Sequence, residues 1–480
     1  MNKQSDIIII GGGIAGLTAA YLLSKKSSVT IIDSGDGVLK MSSTQLAQAG
    51  IAASVNWEKY FEDTMKVGEF KSNKKSVEVL CKESMSAVKF LKEEIGVSFL
   101  DEQSLEGGHS ERRIFTTGDN TGGHIYSRLF NKCRKQEAIT WVHKARVLRI
   151  LKNEEGDLDG VVYECLQSRK VERSKSHYVI IATGGIGGLF ECSTNPSNLK
   201  GDGLLLAHEA GAELEDLLNI QFHPTGLKYE SHPVFLLSEA MRGEGASLLN
   251  EKQERFLGNL PQKELSPRNI VVAEMMKQEE VFMDLRHKSK KFWENHFPNI
   301  CKNLEGLGYD ISDDLLPVTP VQHFLCGGIK TDLNAETNVK NLFAIGESAS
   351  TGIHGSNRLA ANSLTEAVVF SLRCSEYIIR SLKCKVQSAK LESRKSFQAA
   401  AWTTSLVTLR DRFCHCGEGA TAPDEAIQIY PFATEQELNI IRNIVQKYMS
   451  PGKKNILALR KALENISDSF EKRILLLFSS

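Results

Sequence analysis

The hydrophobic pattern is clearest near the start of the chain, where the isoleucines Ile7–Ile10 precede a glycine-rich stretch and the helix-forming sequence LTAAYLLSKK. An apolar run without polar alternation is typical of a strand buried on both faces. The glycines are therefore predicted to lie in a turn between a strand and a helix. A second apolar strand at 28–33 follows at the distance expected of a βαβ unit, which predicts a doubly wound α/β fold.

The glycine-rich turn, GGGIAG, has the spacing of a dinucleotide-binding site. We expect Gly11 to let the turn close, Gly13 to admit a pyrophosphate and Gly16 to let the helix pack on the strand. The N-terminus of that helix would offer N–H groups to the phosphates. Asp33, at the end of the second strand, suits a ribose hydroxyl. Because strand, helix and acid are all in place, a dinucleotide explains the turn better than tight packing alone.

The pattern farther along predicts the rest of the architecture. Apolar residues at helical spacing predict a helix over 57–94, and β-rich segments from 141 to 179 predict a meander that returns to the main sheet, the layout of an FAD-binding domain. We expect a discontinuous FAD-binding domain at 1–216 plus 325–394. An inserted α+β capping domain is predicted at 217–324, and a C-terminal helical bundle at 395–480.

Composition narrows the class of protein. A chain of 480 residues is longer than a single hydrophobic core can serve, so more than one domain is expected. The 59 basic and 59 acidic residues balance, so the overall charge does not favour binding to nucleic acid or to an anionic membrane surface. No apolar run approaches the roughly 20 residues that span a bilayer, and MNKQSD leaves no room for a secretion signal. Ten scattered cysteines are expected to be reduced thiols, so we predict a cytoplasmic location. No metal is predicted, although Cys414-His415-Cys416 is either a metal site or an ordinary loop.

Two further segments carry candidate chemistry. Ser266 as the cap and Pro267 in the first turn predict a helix start, which places Arg268 at the positive end of a helix. The loop EGGHSERR at 106–113 is crowded with ionisable groups. From the residues alone, this loop is equally well explained as a functional loop or as a solvated surface loop.

The motifs as a set resemble one family. The order and sequences of these motifs are similar to those of the succinate dehydrogenase and fumarate reductase flavoproteins. Along the chain, the motifs are GGGIAG, STQLAQAGIAAS, ATGG, GDG, QFHPTGL, SEAMRGEGA, SPRN, PVQHFLCGGIKTD and AIGESASTGIHGSNRLAANSLTEA. The resemblance is dense from residue 6 to about 370. EGGHSERRI is similar to the members that oxidise L-aspartate, and Ser43 stands where respiratory members carry the histidine that bonds FAD covalently.

The resemblance implies an activity and its partners. FAD would be held without a covalent bond and would oxidise L-aspartate to iminoaspartate. Oxygen, giving hydrogen peroxide, or fumarate, giving succinate, would accept the electrons. This reaction would be the first step of NAD biosynthesis through quinolinate, with a hand-off of iminoaspartate to quinolinate synthase.

The turn and the resemblance together imply the site residues. Catalytic roles are expected for Arg268, His223, His323 and Arg358, with Arg268 as proton donor or acceptor. Substrate contacts are expected at Glu106, Gln221, Ser238 and Glu239, with Glu106 facing the amino group. The expected FAD contacts are Gly11, Gly12, Gly13, Ile14, Ala15, Gly16, Asp33, Ser34, Ser43, Thr44, Gln45, Leu46, Ala47, Gln48, Ala49, Gly50, Asp202, Glu347, Ser363 and Leu364.

Simple electrostatics supports such a set, because aspartate carries two carboxylates and an ammonium and needs fixed cations with one anion. Four positions depart from the usual family residue, namely Ser34 for lysine, Ala49 for glycine, Asn269 for aspartate and Phe324 for tyrosine.

The alternative functions are a fumarate reductase or succinate dehydrogenase subunit and a flavoprotein that binds FAD without catalysis. Ser43 and Glu106 argue against the first, and the set of arginines and histidines argues against the second.

Overall fold

The structure is a computed structural model that describes residues 3–35, 42–403, 433–449, 456–463 and 469–478. Cys414-His415-Cys416 and the prediction made for it lie outside these residues. Within them, no helix combines the length and the apolar character needed to cross a membrane.

A five-stranded parallel sheet forms the centre of the fold. Its strands, in spatial order, are Leu342–Ala344, Tyr178–Ile181, Ile7–Ile10, Val29–Ile32 and Ile139–Val142. Alternate isoleucines of the first strand in sequence enter different hydrophobic clusters, Ile7 and Ile9 on one face and Ile8 and Ile10 on the other. This two-sided burial explains why the strand is an unbroken apolar run.

Different elements cover the two faces of this sheet. One face packs against helices, chiefly Ile14–Leu23, Trp57–Val67, Lys74–Lys89, Thr121–Cys133 and Asn362–Thr403. The other face packs against a meander of Ala145–Lys152, Leu158–Cys165 and Val171–Lys175, edged by Lys3–Gln4, and against the helix Asp202–Glu209. The C-terminal helices Glu435–Met449, Ile456–Leu463 and Phe470–Leu477 join the second face. The fold is therefore α/β, with C-terminal helices as predicted.

A second, antiparallel sheet carries its own core. Its strands, in spatial order, are Ile220–Leu227, Leu316–Leu325, Val281–Asp284 and Ser247–Asn250. The helices of this segment are Glu239–Gly243, Arg268–Met275, Lys290–His296 and Pro298–Gly306. Trp293, Leu248 and Met283 are fully buried in its cluster. We call residues 220–325 the capping segment.

The chain enters and leaves the capping segment side by side. Leu214–Glu215 pairs with Gly328–Lys330, which in turn pairs with Ala349–Ser350. This arrangement is compatible with an insertion into a discontinuous domain, and the residue limits given for the three domains stay predictions. The remaining short elements are the strands Ile51–Ala52 and Ile114–Phe115 and the helical turns Ser43–Leu46, Phe90–Ile95, Gly187–Leu189, Lys263–Leu265 and Gly346–Ser348.

Two local predictions differ from the structure. The helix predicted over 57–94 ends at Val67 and starts again at Lys74, where Asn73 accepts hydrogen bonds from the backbone of the first turn. The helix predicted to start with Ser266 as its cap instead has Pro267 at that position and begins at Arg268. Arg268 is nonetheless in the first turn, as the sequence argument required.

Candidate active site

A cavity of about 350 Å³ lies between the glycine-rich turn, the C-terminal ends of the parallel strands and the capping segment. Nineteen of the twenty residues predicted to contact FAD line it: Gly11, Gly12, Gly13, Ile14, Ala15, Asp33, Ser34, Ser43 to Gly50, Asp202, Glu347, Ser363 and Leu364. The exception is Gly16. Gly16 packs against the backbone of Gly11 behind the cavity wall, and its role as an FAD contact stays a prediction.

The glycines of the turn have different physical roles. Gly11 has a φ of +108°, and a Cβ there would lie 2.3 Å from the carbonyl oxygen of Ala182. A Cβ at Gly16 would lie 2.1 Å from the carbonyl oxygen of Gly11, so this glycine lets the helix approach the strand. At Gly13 the nearest atom would be Thr44 Oγ1 at 3.5 Å, so only the cavity limits a side chain there. This opening suits a pyrophosphate at the N-terminus of a helix.

Polar groups on the cavity wall fit the remainder of FAD. Gln48 Oε1 and Thr183 Oγ1 are buried and have no hydrogen-bond partner among the described residues, so both can contact a ligand. Gln48 Nε2 donates to the carbonyl oxygen of Leu236 at 2.7 Å, which joins the segment 43–50 to the capping segment. Asp202 forms a two-bond ion pair with Arg146, with distances of 2.5 and 2.7 Å. Asp202, the first residue of its helix, therefore pairs with a guanidinium on the cavity wall.

Arg358 dominates the electrostatics at the other end of the cavity. The residue is 3% exposed; its guanidinium donates to Ser363 Oγ at 3.0 Å and has an Nε without a hydrogen-bond partner among the described residues. No described carboxylate lies within ion-pair distance of it. Burial, together with the charge of Arg268, lowers the pKa of Arg358 to about 10, so it is still a cation at neutral pH. A buried cation without a counter-ion is a site for an anionic ligand.

Arg268 is held by a buried carboxylate. Its Nε and Nη2 donate to Glu239 Oε2 at 2.8 and 2.6 Å, and its Nη1 donates to Gln221 Oε1 at 2.9 Å. The other oxygen of Glu239 accepts from Arg242 Nη2 at 2.7 Å. Burial opposes ionisation of Glu239, but the two guanidiniums prevail and lower its pKa. The result is a rigid Arg–Glu–Arg group whose net charge is positive.

Two neutral histidines lie beside the arginines. The rings of His223 and His323 are 5.1 Å apart, and burial together with Arg268 lowers the pKa of both well below the usual value. The backbone N–H of Thr225 donates to His223 Nδ1 at 3.2 Å, so the neutral ring carries its proton on Nε2. His323 Nδ1 lies 2.7 Å from Thr194 Oγ1. His223 is therefore a hydrogen-bond donor suited to a carboxylate.

Only some of the residues predicted to contact the substrate line the cavity wall. Ser238 and Glu239 line the cavity, and Ser238 also accepts from the N–H of Ala240 at the start of its helix. Gln221 lies behind the wall and donates to the carbonyl oxygen of Arg358 at 2.8 Å, so it contacts both arginines. Glu106 also lies behind the wall, and its role at the amino group stays a prediction.

Glu106 is nevertheless electrostatically unusual. It is 1% exposed, and neither of its carboxylate oxygens has a hydrogen-bond partner among the described residues. Burial, and then the negative charge of Glu239, raise its pKa to about 7. In the same loop, Arg113 is buried and pairs with Asp63 at 2.7 Å, whereas Arg112 is exposed. The loop is therefore only partly a solvated surface loop.

Sequence reasoning missed the loop at 192–195. Asn195 accepts a short hydrogen bond from Ser43 Oγ and donates to Gln322 Oε1 at 3.1 Å and to the carbonyl oxygen of His323 at 2.9 Å. Ser43 is thus tied to the strand that carries His323. The Asn-Pro pair at 195–196 was the available signal, and it indicates only a turn.

This fold and cavity define an FAD-dependent flavoprotein, and residues 6–364 match the family model described as FAD binding domain. The L-aspartate oxidase of Clostridium acetobutylicum is 37% identical over 415 residues, which cover 82% of this chain and 92% of that protein. The L-aspartate oxidase of Clostridium perfringens is 38% identical, covering 78% and 86%. The chain belongs to the L-aspartate oxidase family. A mutant FrdA chain of E. coli quinol fumarate reductase superposes with a TM-score of 0.79 at 25% identity, covering 100% of this chain and 87% of that one.

Proposed function

We propose that the protein oxidises L-aspartate to iminoaspartate and that the cavity between the parallel sheet and the capping segment holds FAD and the substrate together. The observation that carries this proposal is the buried guanidinium of Arg358, which has no carboxylate partner among the described residues. A carboxylate of the substrate would complete that ion pair. Membership of the L-aspartate oxidase family supports aspartate as the dicarboxylate.

The residues of the chain bind and orient the substrate. Arg358 receives one carboxylate, and His223, through its Nε2–H, and Ser238 donate to carboxylate oxygens. Arg268 adds positive charge while Glu239 and Gln221 fix its direction. Fixing the substrate's Cα in this way is the larger contribution of the protein, since good orientation is worth roughly 7–11 kcal/mol.

The glycine-rich turn and the residues 43–50 would hold FAD, which would supply the acceptor for the hydride of Cα and the route for its electrons to oxygen or to fumarate. Ser43, which donates to Asn195, stands where the respiratory flavoproteins that the chain resembles carry the covalent histidine, so the cofactor is held by non-covalent contacts. Arg268 provides the proton that fumarate needs at its second carbon. The buried imidazoles remain neutral donors and do not compete for that proton.

The proposal also covers the fate of the reaction product and the cellular location of the reaction. Iminoaspartate would pass to quinolinate synthase as the first step of NAD biosynthesis, and the reaction would take place in the cytoplasm. Family membership supports the first inference, and the scattered cysteines of the sequence support the second.

Anaerobic mixing of the FAD-loaded protein with L-aspartate tests the proposal. The flavin absorbance should bleach with L-aspartate and remain unchanged with D-aspartate, and succinate should bleach it far more slowly. Bleaching by succinate at a rate equal to that with L-aspartate would favour a fumarate reductase or succinate dehydrogenase type of flavoprotein. No bleaching with either compound would reject an oxidase function.

A further inference from the structure

Glu69 lies where two substrate-binding segments meet at the surface. Its carboxylate accepts from Ser356 Oγ at 2.7 Å and from Asn269 Nδ2 at 2.9 Å, and Lys71 Nζ lies 3.2 Å away. Asn269 belongs to the capping segment and directly follows Arg268. Ser356 precedes Arg358 by two residues. One side chain therefore joins the two segments that carry the substrate arginines.

The connection continues inward through amides. Asn269 Oδ1 accepts from Asn357 Nδ2 at 2.9 Å, and Asn357 Oδ1 accepts from Gln221 Nε2 at 2.8 Å. Gln221 then contacts Arg268 Nη1 at 2.9 Å and the carbonyl oxygen of Arg358 at 2.8 Å. A continuous set of hydrogen bonds thus runs from Glu69 to both arginines.

The backbone around Glu69 is held in an unusual conformation. Glu69 and the next residue, Phe70, have φ values of +56° and +57°, in the left-handed region that residues other than glycine rarely adopt. The neighbouring loop is packed closely against this one, because a Cβ at Gly355 would lie 2.3 Å from the carbonyl oxygen of Gly68. Strained conformations persist where the surroundings fix them, often at functional sites.

Asn269 can serve this connection in a way that aspartate cannot. An asparagine side chain donates through its nitrogen and accepts through its oxygen at the same time. Here the nitrogen faces the carboxylate of Glu69 and the oxygen faces Asn357. An aspartate at 269 would accept only, and it would place a second negative charge beside Glu69. The hydrogen bonds of Ser356 and Lys71 already lower the pKa of Glu69, so its charge persists at neutral pH.

We propose that Glu69 is a positioning residue which, with Asn269 and Ser356, latches the capping segment onto the loop of Arg358. The latch fixes the separation of Arg268 and Arg358 that the two carboxylates of a substrate must span. This inference rests on the proposed dicarboxylate site. It concerns affinity for the substrate, since Glu69 is at the surface and does not reach the reacting atoms.

The test uses the FAD-loaded protein, with succinate binding measured by calorimetry and aspartate oxidation measured by initial rates. Asn269→Asp should raise the Kd of succinate and the KM of aspartate about three- to tenfold, the effect of one lost hydrogen bond and one like-charge contact near the surface. The kcat should change less than about twofold, because the reacting groups are unaltered. Adding Glu69→Gln to this variant should recover most of the lost affinity, since glutamine can donate to the new carboxylate.

A matched control adds the same charge elsewhere on the capping segment. Asn303 is exposed on the helix Pro298–Gly306 and donates only to the backbone of that helix. Asn303→Asp should leave succinate affinity unchanged. Glu69→Gln alone should weaken succinate binding less than Asn269→Asp, because its amide oxygen still accepts from Asn269.

The latch is overturned if Asn269→Asp binds succinate within twofold of the unaltered protein, or if the double variant binds no better than Asn269→Asp. It is also overturned if Asn303→Asp is equally impaired, since the effect would then be one of net charge. The proposed function fails separately, on the unaltered protein, if that protein neither oxidises L-aspartate nor binds succinate.

Discussion

The guanidinium carbon of Arg358 lies 4.3 Å from the centre of the Phe324 ring, so the cation is stacked on an aromatic face. A phenylalanine supplies this face without a hydroxyl, where the resemblance leads us to expect tyrosine. The stacking holds the plane of the guanidinium and leaves its edge for a carboxylate.

Arg358→Met should stabilise the protein while removing its affinity for dicarboxylates. Replacing a buried charge by an apolar side chain of similar length is expected to raise the free energy of unfolding by about 1–4 kcal/mol. Urea unfolding with and without succinate measures both effects. Arg112→Met is the control, because the ion pair of Arg112 with Glu244 is 3.6 Å long and exposed, and its loss should change stability little. Lower stability of Arg358→Met would show that an internal group already neutralises Arg358.

Gly13→Val and Gly16→Ala should separate cofactor binding from folding. A Cβ at this position meets no backbone, and the valine methyl groups are expected to occupy the space of the pyrophosphate, so the protein should fold and purify without flavin. The alanine Cβ would collide with the carbonyl oxygen of Gly11 and should lower the melting temperature strongly. Flavin content and thermal unfolding, read on both variants, check the distinction. A yellow Gly13→Val protein would contradict the assignment of this space.

Glu106→Gln should distinguish aspartate from fumarate. The variant keeps the size of the side chain and removes the charge expected to face the ammonium group, which fumarate lacks. We expect kcat/KM for aspartate oxidation to fall about ten- to a hundredfold, with a much smaller loss for fumarate reduction. Both reactions are measured on one preparation, so each serves as the control for the other. Equal losses would make Glu106 a structural residue.

The contribution of Glu106 and Glu347 to the stability of the flavin-free protein should fall as pH rises from about 5 to about 7, whereas the buried neutral histidines His223 and His323 contribute the opposite slope. Burial raises the pKa values of Glu106 and Glu347 from 4.5 to about 7, so in this range these two carboxyl groups bind more protons in the folded state than in the unfolded state. Their contribution to folding then becomes less favourable with increasing pH, by about 1–3 kcal/mol for each group. Urea unfolding at both pH values should show that Glu106→Gln and Glu347→Gln each gain stability at pH 7 relative to pH 5, compared with the unaltered protein. An unchanged difference in either variant would exclude that group as the cause.

Arg268→Lys should retain FAD and some binding of dicarboxylate but lose fumarate reduction. A lysine ammonium keeps the charge but cannot bind Glu239 and Gln221 with the geometry of the guanidinium fork. We expect fumarate turnover to fall at least about a hundredfold, the lower range for general acid catalysis. Turnover is measured anaerobically with a chemical reductant, and succinate binding is the control. Near-normal turnover would remove Arg268 from the mechanism and point to His223 and His323.

The parts of this structure that depend on local backbone geometry could be predicted from sequence. Strand, glycine turn and helix at 7–23 follow from an apolar run, a glycine spacing and a change of period. Most residues predicted to contact FAD gather around the cavity because parallel strands end at one edge of a sheet. The interruption between Val67 and Lys74 was missed, because the apolar residues keep helical spacing across it.

The pairings of charged side chains could not be predicted. Glu239 joins Arg268 and Arg242 through contacts that no spacing rule encodes, because they depend on how a helix of the capping segment is turned. For the same reason, the positions of Glu106 and Gln221 behind the cavity wall were not evident. The resemblance predicts which residues belong to the site, and the three-dimensional packing determines which of them line the cavity.

The order of strands in the central sheet has a consequence for biosynthesis. The strand Tyr178–Ile181 pairs on one side with Ile7–Ile10 and on the other with Leu342–Ala344, so the sheet is incomplete until translation passes residue 344. At roughly 5–20 residues per second, that takes on the order of 20–70 s. The antiparallel sheet uses only residues 220–325 and can assemble earlier. During the interval the nascent chain exposes an unpaired edge beside a row of isoleucines, which makes this period the one in which aggregation competes with folding and a chaperone is most useful.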